Sequence, residues 1–406
     1  AEVKRMLSAA ADGKIMQGGK QPRAGESRPT LPFPDPWILV ASVLLLALGL
    51  LMVTSASIPL ADSKMGQPFY FLMRQSAFVV VGLLAAGVVL QVPLTRWRRA
   101  GPLLLLAAMG LLGLVLVPGV GREVNGSMRW IAAGPVNIQV SEIAKLFVLI
   151  YVADYLKRHG ADLRTGDLRT SVLALLRPMA VLAVLAVLLL LEPDFGSVVV
   201  LMATALGMVF LAGVNLWQFG TLQVGTAAAM AVLILSSPYR RERLFSFVNP
   251  WEDPFGGGFQ LVQSLIAIGR GELFGVGLGG SVQKLFYLPE AHTDFLFAVL
   301  AEELGLAGIL TVLALFMILV WRAFVIARRA ERLDMPFSAY LAYGIGLWFG
   351  IQALFNMGVN MGVLPTKGLT LPLMSYGGSS VVVMCMALAL LLRIDIEIRA
   401  MRIRKE

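Results

Sequence analysis

Thiol chemistry is all but absent from this 406-residue chain, whose one cysteine, Cys385, sits inside an apolar run. A single Cys excludes a disulfide framework and a cysteine-ligated metal centre. Histidine is nearly as scarce: His159 and His292 are the only two, and they fall at opposite ends of the apolar spans read below. A metal held by protein His and Cys ligands is therefore excluded, although a divalent cation shared with a substrate pyrophosphate would leave no sequence signature. Three catalytic signatures are missing too: the G-x-x-x-x-G-K-S/T phosphate loop, H-E-x-x-H and G-x-S-x-G. Charged residues make up only 15% of the chain, and no basic helix or aromatic-interleaved groove points to nucleic acid.

What the chain has instead is apolar surface. With 58% hydrophobic residues and a mean hydropathy of +0.78, it reads as an all-α polytopic membrane protein. About ten runs are long enough to span a bilayer. The expected organisation is a polar, poorly ordered tail over residues 1–36, a ten-helix transmembrane domain over 37–393 and a short tail over 394–406. A large structured connection, 238–293, lies between helices 7 and 8. Lys and Arg collect in both tails and in alternate connections, so the net charge of +9 is mostly topological bias. That bias puts both termini in the cytoplasm and the 238–293 connection outside.

The long connection is rich in aromatics and contains "NPWEDP" and "GRGELFGVGLGGS", a composition that argues for structure. Within it "FQLVQSLIAIG" is apolar but too short to span, which suggests an interfacial or re-entrant helix. Two other outer connections, 120–137 and 357–380, are also dense in polar residues.

Ionisable groups inside a bilayer cost about 2.5–3.5 kcal/mol each at a helix centre, so each is a candidate for function. In "VSEIAKL", Glu142 and Lys145 lie three apart on one helix face. They can neutralise each other, or simply pin neighbouring helices. In "LEPDFGS", Pro193 ends one helix and Asp194 can cap the next. The stretch "YLPEAHTDFLFAVLAEELG" carries Glu290, His292, Asp294, Glu302 and Glu303. Glu302 and Glu303 fall about 12–14 Å along the helix from Asp294, where buried acids need partners.

Arg129, Arg270 and Lys367 stand near outer ends of spans, and Arg240, Arg241 and Arg243 lie on the face that should be poor in arginine. A row of cations there suits a polyprenyl pyrophosphate or another anionic lipid. A sugar activated by pyrophosphate needs one base for the attacking hydroxyl and cations for the departing charge. An acid at the outer boundary with Arg and Lys nearby supplies that set. On position and chemistry alone, Asp294 and Glu290 are equal candidates for the base.

The motifs resemble those of the SEDS family (shape, elongation, division and sporulation). The matching stretches are "RWI" at 129–131 leading to "QVSEIAK" at 139–145, "EPDFGS" at 192–197, "NPWEDP" at 249–254, the run 277–305 and "LPTKGLTLPLMSYGGSS" at 364–380. Together they cover essentially residues 35–395, and "QKLFYLPEAHTDF" and "PTKGLTLP" are similar to the division branch. The resemblance implies a lipid II polymerase of the bacterial inner membrane, working at the septum with a class B penicillin-binding transpeptidase, FtsI, and with FtsQ, FtsL and FtsB. It puts the essential aspartate on Asp294, and the important cavity lysine and arginine on Lys145 and Arg129. Glu142, Arg243, Arg270, Lys367, Glu290, His292 and Ser379 complete the candidates for holding substrate. A lipid II flippase and a non-catalytic division scaffold are the rival expectations, since a lipid cavity with an intramembrane Glu142/Lys145 pair also suits transport.

Overall fold

The computed structural model describes residues 34–124, 127–134, 136–165, 167–365 and 368–405. All but the last three residues of the expected 1–36 tail lie outside this set. So does Lys367.

Helix α1 (Pro36–Met65) starts where its sequence allows. Asp35 accepts the backbone N–H groups of Trp37 (3.1 Å) and Ile38 (3.4 Å), Pro36 occupies the first turn, and Gly66 ends the helix at φ 62°. Helices α2 (Tyr70–Gln91) and α3 (Leu94–Val115) follow. The chain then departs from the all-helical expectation. Strands β1 (Gly121–Val124), β2 (Ser127–Ala133) and β3 (Val136–Gln139) form an antiparallel meander in which Trp130 faces Arg122 on one side and Gln139 on the other. In sequence the stretch reads as a polar connection, because its alternating segments are too short to stand out from a loop; pairing within 19 residues is what makes them strands.

Next come α4 (Val140–Arg164), α5 (Leu168–Leu191), α6 (Phe195–Leu211) and α7 (Leu216–Leu235). The 238–293 connection contributes two helices, α8 (Pro238–Val248) and α9 (Phe259–Gly271), the second formed by the short apolar run singled out above. Helices α10 (Leu296–Arg332), α11 (Pro336–Asn360) and α12 (Gly378–Lys405) complete the chain, with α12 continuing through most of the expected C-terminal tail.

Seven of these helices, rather than ten, are both long and apolar enough to cross a membrane among the described residues: α1, α2, α3, α5, α7, α10 and α11. Helix α6 is apolar but has only 17 residues. Helix α4 carries Glu142, Lys145, Asp154 and several more charges, and α12 carries Arg393, Asp395, Glu397 and Arg399. The expectation of ten spans counts α4, α6 and α12 as crossings, and these three make the difference.

Helix α11 is the hub. It packs against α10, α6, α4, α12 and α9, and 78% of its most apolar window is buried, against 6% for α7. Its polar residues Gln352, Asn356 and Asn360 recur every four positions, so they form one buried stripe.

Helix α10 is broken at Gly305, where φ is +63°. The break leaves backbone groups of α10 without helical partners, and the glycine-rich segment of the long connection takes them up. Val276 and Gly277 donate to the carbonyls of Glu302 (3.0 Å) and Glu303 (3.1 Å), while Leu306 and Ala307 donate to Glu272 (2.9 Å) and Leu273 (3.1 Å). The two acids anticipated as buried are partnered by the same segment. Glu302 binds Arg270 at 2.8 Å and accepts from the Val282 N–H at 3.0 Å; Glu303 binds Lys284 at 2.8 Å and accepts from the Ser55 hydroxyl at 2.7 Å. Each carboxylate is wholly buried and charge-compensated. Together they fasten the connection to α10 and so fix the approach to the next residues of interest.

Candidate active site

A cavity of about 730 Å³ opens at the end of the bundle that carries the long connection. Its wall draws on parts of the chain that are far apart in sequence. Arg74 comes from α2, Arg129 from β2, Glu142 from the first turn of α4, Ser197 from α6, Glu290 to Asp294 from the end of the long connection, and Gly368 to Thr370 from the segment before α12. Asp294, Arg129, Glu142, Glu290 and His292, far apart in sequence, are thus brought into one polar recess.

Asp294 lies just ahead of α10, and its main chain is clamped. The amide Nδ2 groups of Asn356 and Asn360 donate to its carbonyl at 2.8 and 3.1 Å. Asn356 also reaches the Leu369 carbonyl, and the Asn360 Oδ1 accepts the Ala298 N–H at 3.2 Å. The stripe on α11 therefore sets the height and direction of the Asp294 side chain. On the far side Gly368 comes so close that a Cβ there would lie 3.0 Å from Asp294 Oδ2. A side chain at 368 would push this carboxylate aside by a few tenths of an ångström.

The turn before Asp294 is tightly built. Thr293 and Phe295 donate their N–H groups to the Glu290 carbonyl (3.1 and 3.2 Å), and the Thr293 hydroxyl donates to Glu290 Oε2 at 2.9 Å. His292 is buried with its ring against Phe71 (centroids 4.7 Å) and Tyr376 (5.5 Å). Burial holds its imidazole below the usual range; the Glu290 carboxylate opposes this and the Lys64 ammonium adds to it. At neutral pH the ring is uncharged.

Elsewhere in the lining, Arg129 donates from Nε to the Glu192 carbonyl (3.2 Å) and from Nη2 to the Pro193 carbonyl (2.5 Å). Its charge is thereby anchored at the cavity edge by the turn between α5 and α6. Asp194 caps α6, accepting the Ser197 N–H at 3.1 Å and its hydroxyl at 2.7 Å. Glu142 reaches the cavity from below. Its Oε1 accepts from Lys145 Nζ at 2.8 Å, whereas its Oε2 has no partner among the described residues. Lys145 stands one turn deeper, away from the cavity lining, where it also donates to Gln352 Oε1 (2.9 Å) and lies 5.4 Å from the Trp348 ring centre. Gln352 in turn donates to the Thr370 carbonyl at 3.0 Å, linking the lysine to the segment next to Gly368.

Two other candidates stand elsewhere. Arg270 pairs with Glu302 and does not line the cavity. Ser379 accepts the Gln139 N–H at 2.9 Å and so ties β3 to the start of α12. The Arg243 side chain and Lys367 lie outside the described residues. Sequence reasoning missed Arg74, Gln352, Asn356 and Asn360. The last three were detectable as a four-residue polar repeat within an otherwise apolar helix. Among the described residues no group of three or more His, Cys, Asp or Glu side chains could hold a metal ion.

Residues 36–400 match a family profile described as a cell cycle protein and comprising FtsW, RodA and SpoVE. The chain belongs to this family. Two relatives described as probable peptidoglycan glycosyltransferases FtsW support the placement. One, from Nitrosococcus halophilus, is 56% identical over 91% of this chain and 94% of its own length; the other, from Thioalkalivibrio sulfidiphilus, is 59% identical over 88% and 89%. Among solved structures, a chain from a peptidoglycan synthase complex that coordinates polymerization and crosslinking superposes with a TM-score of 0.72 at 31% identity, covering 90% of this chain and 98% of that one. The rod shape determining protein RodA of Thermus thermophilus gives 0.66 at 29%, again covering 90% and 98%. This FtsW/RodA-family chain is a multi-pass membrane protein of a peptidoglycan glycosyltransferase family, and the residues that line its cavity fall within the matched range.

Proposed function

We propose that the protein polymerises lipid II into septal glycan strands, with Asp294 as general base. The Asp294 carboxylate takes the proton from the sugar 4-hydroxyl of an acceptor lipid II. The freed oxygen attacks the anomeric carbon of the growing strand, the bond to undecaprenyl pyrophosphate breaks, and the new β-1,4 link forms with inversion. Arg129 stabilises the departing pyrophosphate from the cavity edge. Lys145 acts through Glu142, which lines the same cavity, and Lys367 and Arg243 are further candidate cations. The observation that carries this reading is that Asp294 and Arg129, 165 positions apart, line one cavity and bring an acid and a cation to it.

Helices α4, α6 and α12 complete ten crossings in this proposal. A helix enclosed by protein need not be apolar on every face, and most of α4 is buried. Both termini then lie in the cytoplasm, as the arginine bias requires. A class B transpeptidase (FtsI) with FtsQ, FtsL and FtsB would be the partners at the septum of the inner membrane.

The test is purified protein with its transpeptidase partner, given labelled lipid II. Strands that form with the parent chain and vanish in Asp294→Asn support the enzyme. Absence of polymer, with lipid scrambling that survives Asp294→Asn, would instead identify a flippase.

A further inference from the structure

A second recess, of about 590 Å³, lies at the other end of the bundle, where α1 begins and α12 ends. Arg329, Arg332 and Leu333 at the end of α10 line it from one side, and Ile398, Arg399 and Arg402 of α12 from the other. Four guanidinium groups thus surround an apolar floor. The helix C-termini that meet here contribute only about half a negative elementary charge each. The recess stays strongly cationic.

Two of its arginines are held in place by buried acids. Asp395, with no exposed surface, receives Arg399 at 2.8 Å and stands 3.8 Å from Arg329. Asp35, equally buried, stands 3.8 Å from Arg399 and pairs with Arg322. Arg332 and Arg402 are exposed and add their charge at the mouth. A general topological bias needs arginines only somewhere on this face. It does not need two preset by buried carboxylates around a pocket.

Depth decides the ligand. The part of α10 beyond the Gly305 break runs about 30 Å from Leu306 to Ile326, which uses up the hydrocarbon thickness. Arg329 and Arg332 are the next one to two turns. Counted from Gly378, about 20 residues of α12 do the same, and Arg399 and Arg402 follow directly. Exposed Trp321, with the Arg322 guanidinium 5.5 Å from its ring centre, marks the nearby interface. Both sets of arginines therefore stand at headgroup level, beside a floor that suits glycerol and the first methylenes of an acyl chain.

We propose that this recess binds the phosphodiester of an anionic phospholipid such as phosphatidylglycerol, at the membrane face opposite the polymerising cavity. The binding itself does not depend on the function proposed above, and the readout involves no polymerisation.

Native mass spectrometry of the full chain, released from micelles containing equal phosphatidylglycerol and phosphatidylcholine, tests it. The parent chain is expected to retain phosphatidylglycerol selectively. An arginine near an anionic surface is worth roughly a fivefold change in affinity, so Arg332→Gln/Arg402→Gln should weaken retention about 25-fold. Arg96→Gln/Arg99→Gln removes the same charge from exposed positions on α3, on the same face but outside the recess. That variant should retain the lipid like the parent. Equal losses in the two double variants would reduce the effect to general electrostatics and overturn the site. Inorganic phosphate in excess should not displace the lipid; displacement would overturn the lipid assignment in favour of a soluble phosphate.

Discussion

Replacing Lys145 by methionine separates two roles that the buried Glu142–Lys145 pair can have. Lys145 is 1% exposed and Glu142 3%, and the lysine has three polar or aromatic partners, Glu142, Gln352 and the Trp348 ring. Removing only the cation leaves Glu142 buried and uncompensated, a change that costs about 3–5 kcal/mol in such sites. The Glu142 Oε2 is itself buried and has no partner among the described residues, so nothing else compensates the charge once the cation is gone. Lys145→Met together with Glu142→Gln removes both charges and keeps similar volume. Stability should then return to within about 1 kcal/mol of the parent.

Equilibrium unfolding in detergent micelles, followed by tryptophan fluorescence, measures these differences, and Trp348 beside the lysine provides a local reporter. Polymerisation of labelled lipid II by the same proteins supplies the second axis. Stability recovered without activity assigns Lys145 to the reaction; recovery of both would make the pair a helix pin. If Lys145→Met is as stable as the parent, or if the double variant is no better than the single one, the reasoning about an uncompensated buried charge is refuted.

Three further outcomes follow from the surroundings of Asp294. Asn356→Ala removes donors to the Asp294 and Leu369 carbonyls, and should lower stability by about 1–2 kcal/mol and the rate at saturating lipid II by about tenfold or more; an unchanged rate would show that the clamp does not aim the carboxylate. Gly305→Ala places a Cβ 2.4 Å from the Gly275 nitrogen at φ +63°, so its cost should exceed the about 1–3 kcal/mol of left-handed strain alone, read as faster proteolysis within the 272–290 segment. His292 titrates lower in the folded chain than its usual 6.5. Between those two values the unfolded chain binds the extra proton, so stability is full above about 6.5 and falls as pH drops toward the folded value, and His292→Phe should flatten that part of a stability–pH curve.

The helical framework and much of the cavity wall are legible in the sequence because they follow from local composition. Apolar runs, caps such as Asp35 and Asp194, and the density of polar groups around 290–294 need no knowledge of what packs where. What is not legible depends on pairing between distant segments. Strands β1 to β3 exist only because three short pieces bond to each other, and Arg270 stands away from the cavity because Glu302, 32 positions later, claims it. The Gly305 break is similar: glycine in a helix is unremarkable until Gly275 and its neighbours are seen filling the bonds it leaves open. The stripe Gln352, Asn356, Asn360 lies between these cases. Its period of four was readable, but nothing local says that a buried amide on α11 would hold the main chain of Asp294 from 62 and 66 positions away. That stripe adds to the site's acid and cation a hold on the main chain that carries the acid. Under the proposed mechanism, the reaction should therefore be as sensitive to substitutions on α11 as to those in the loop that carries Asp294.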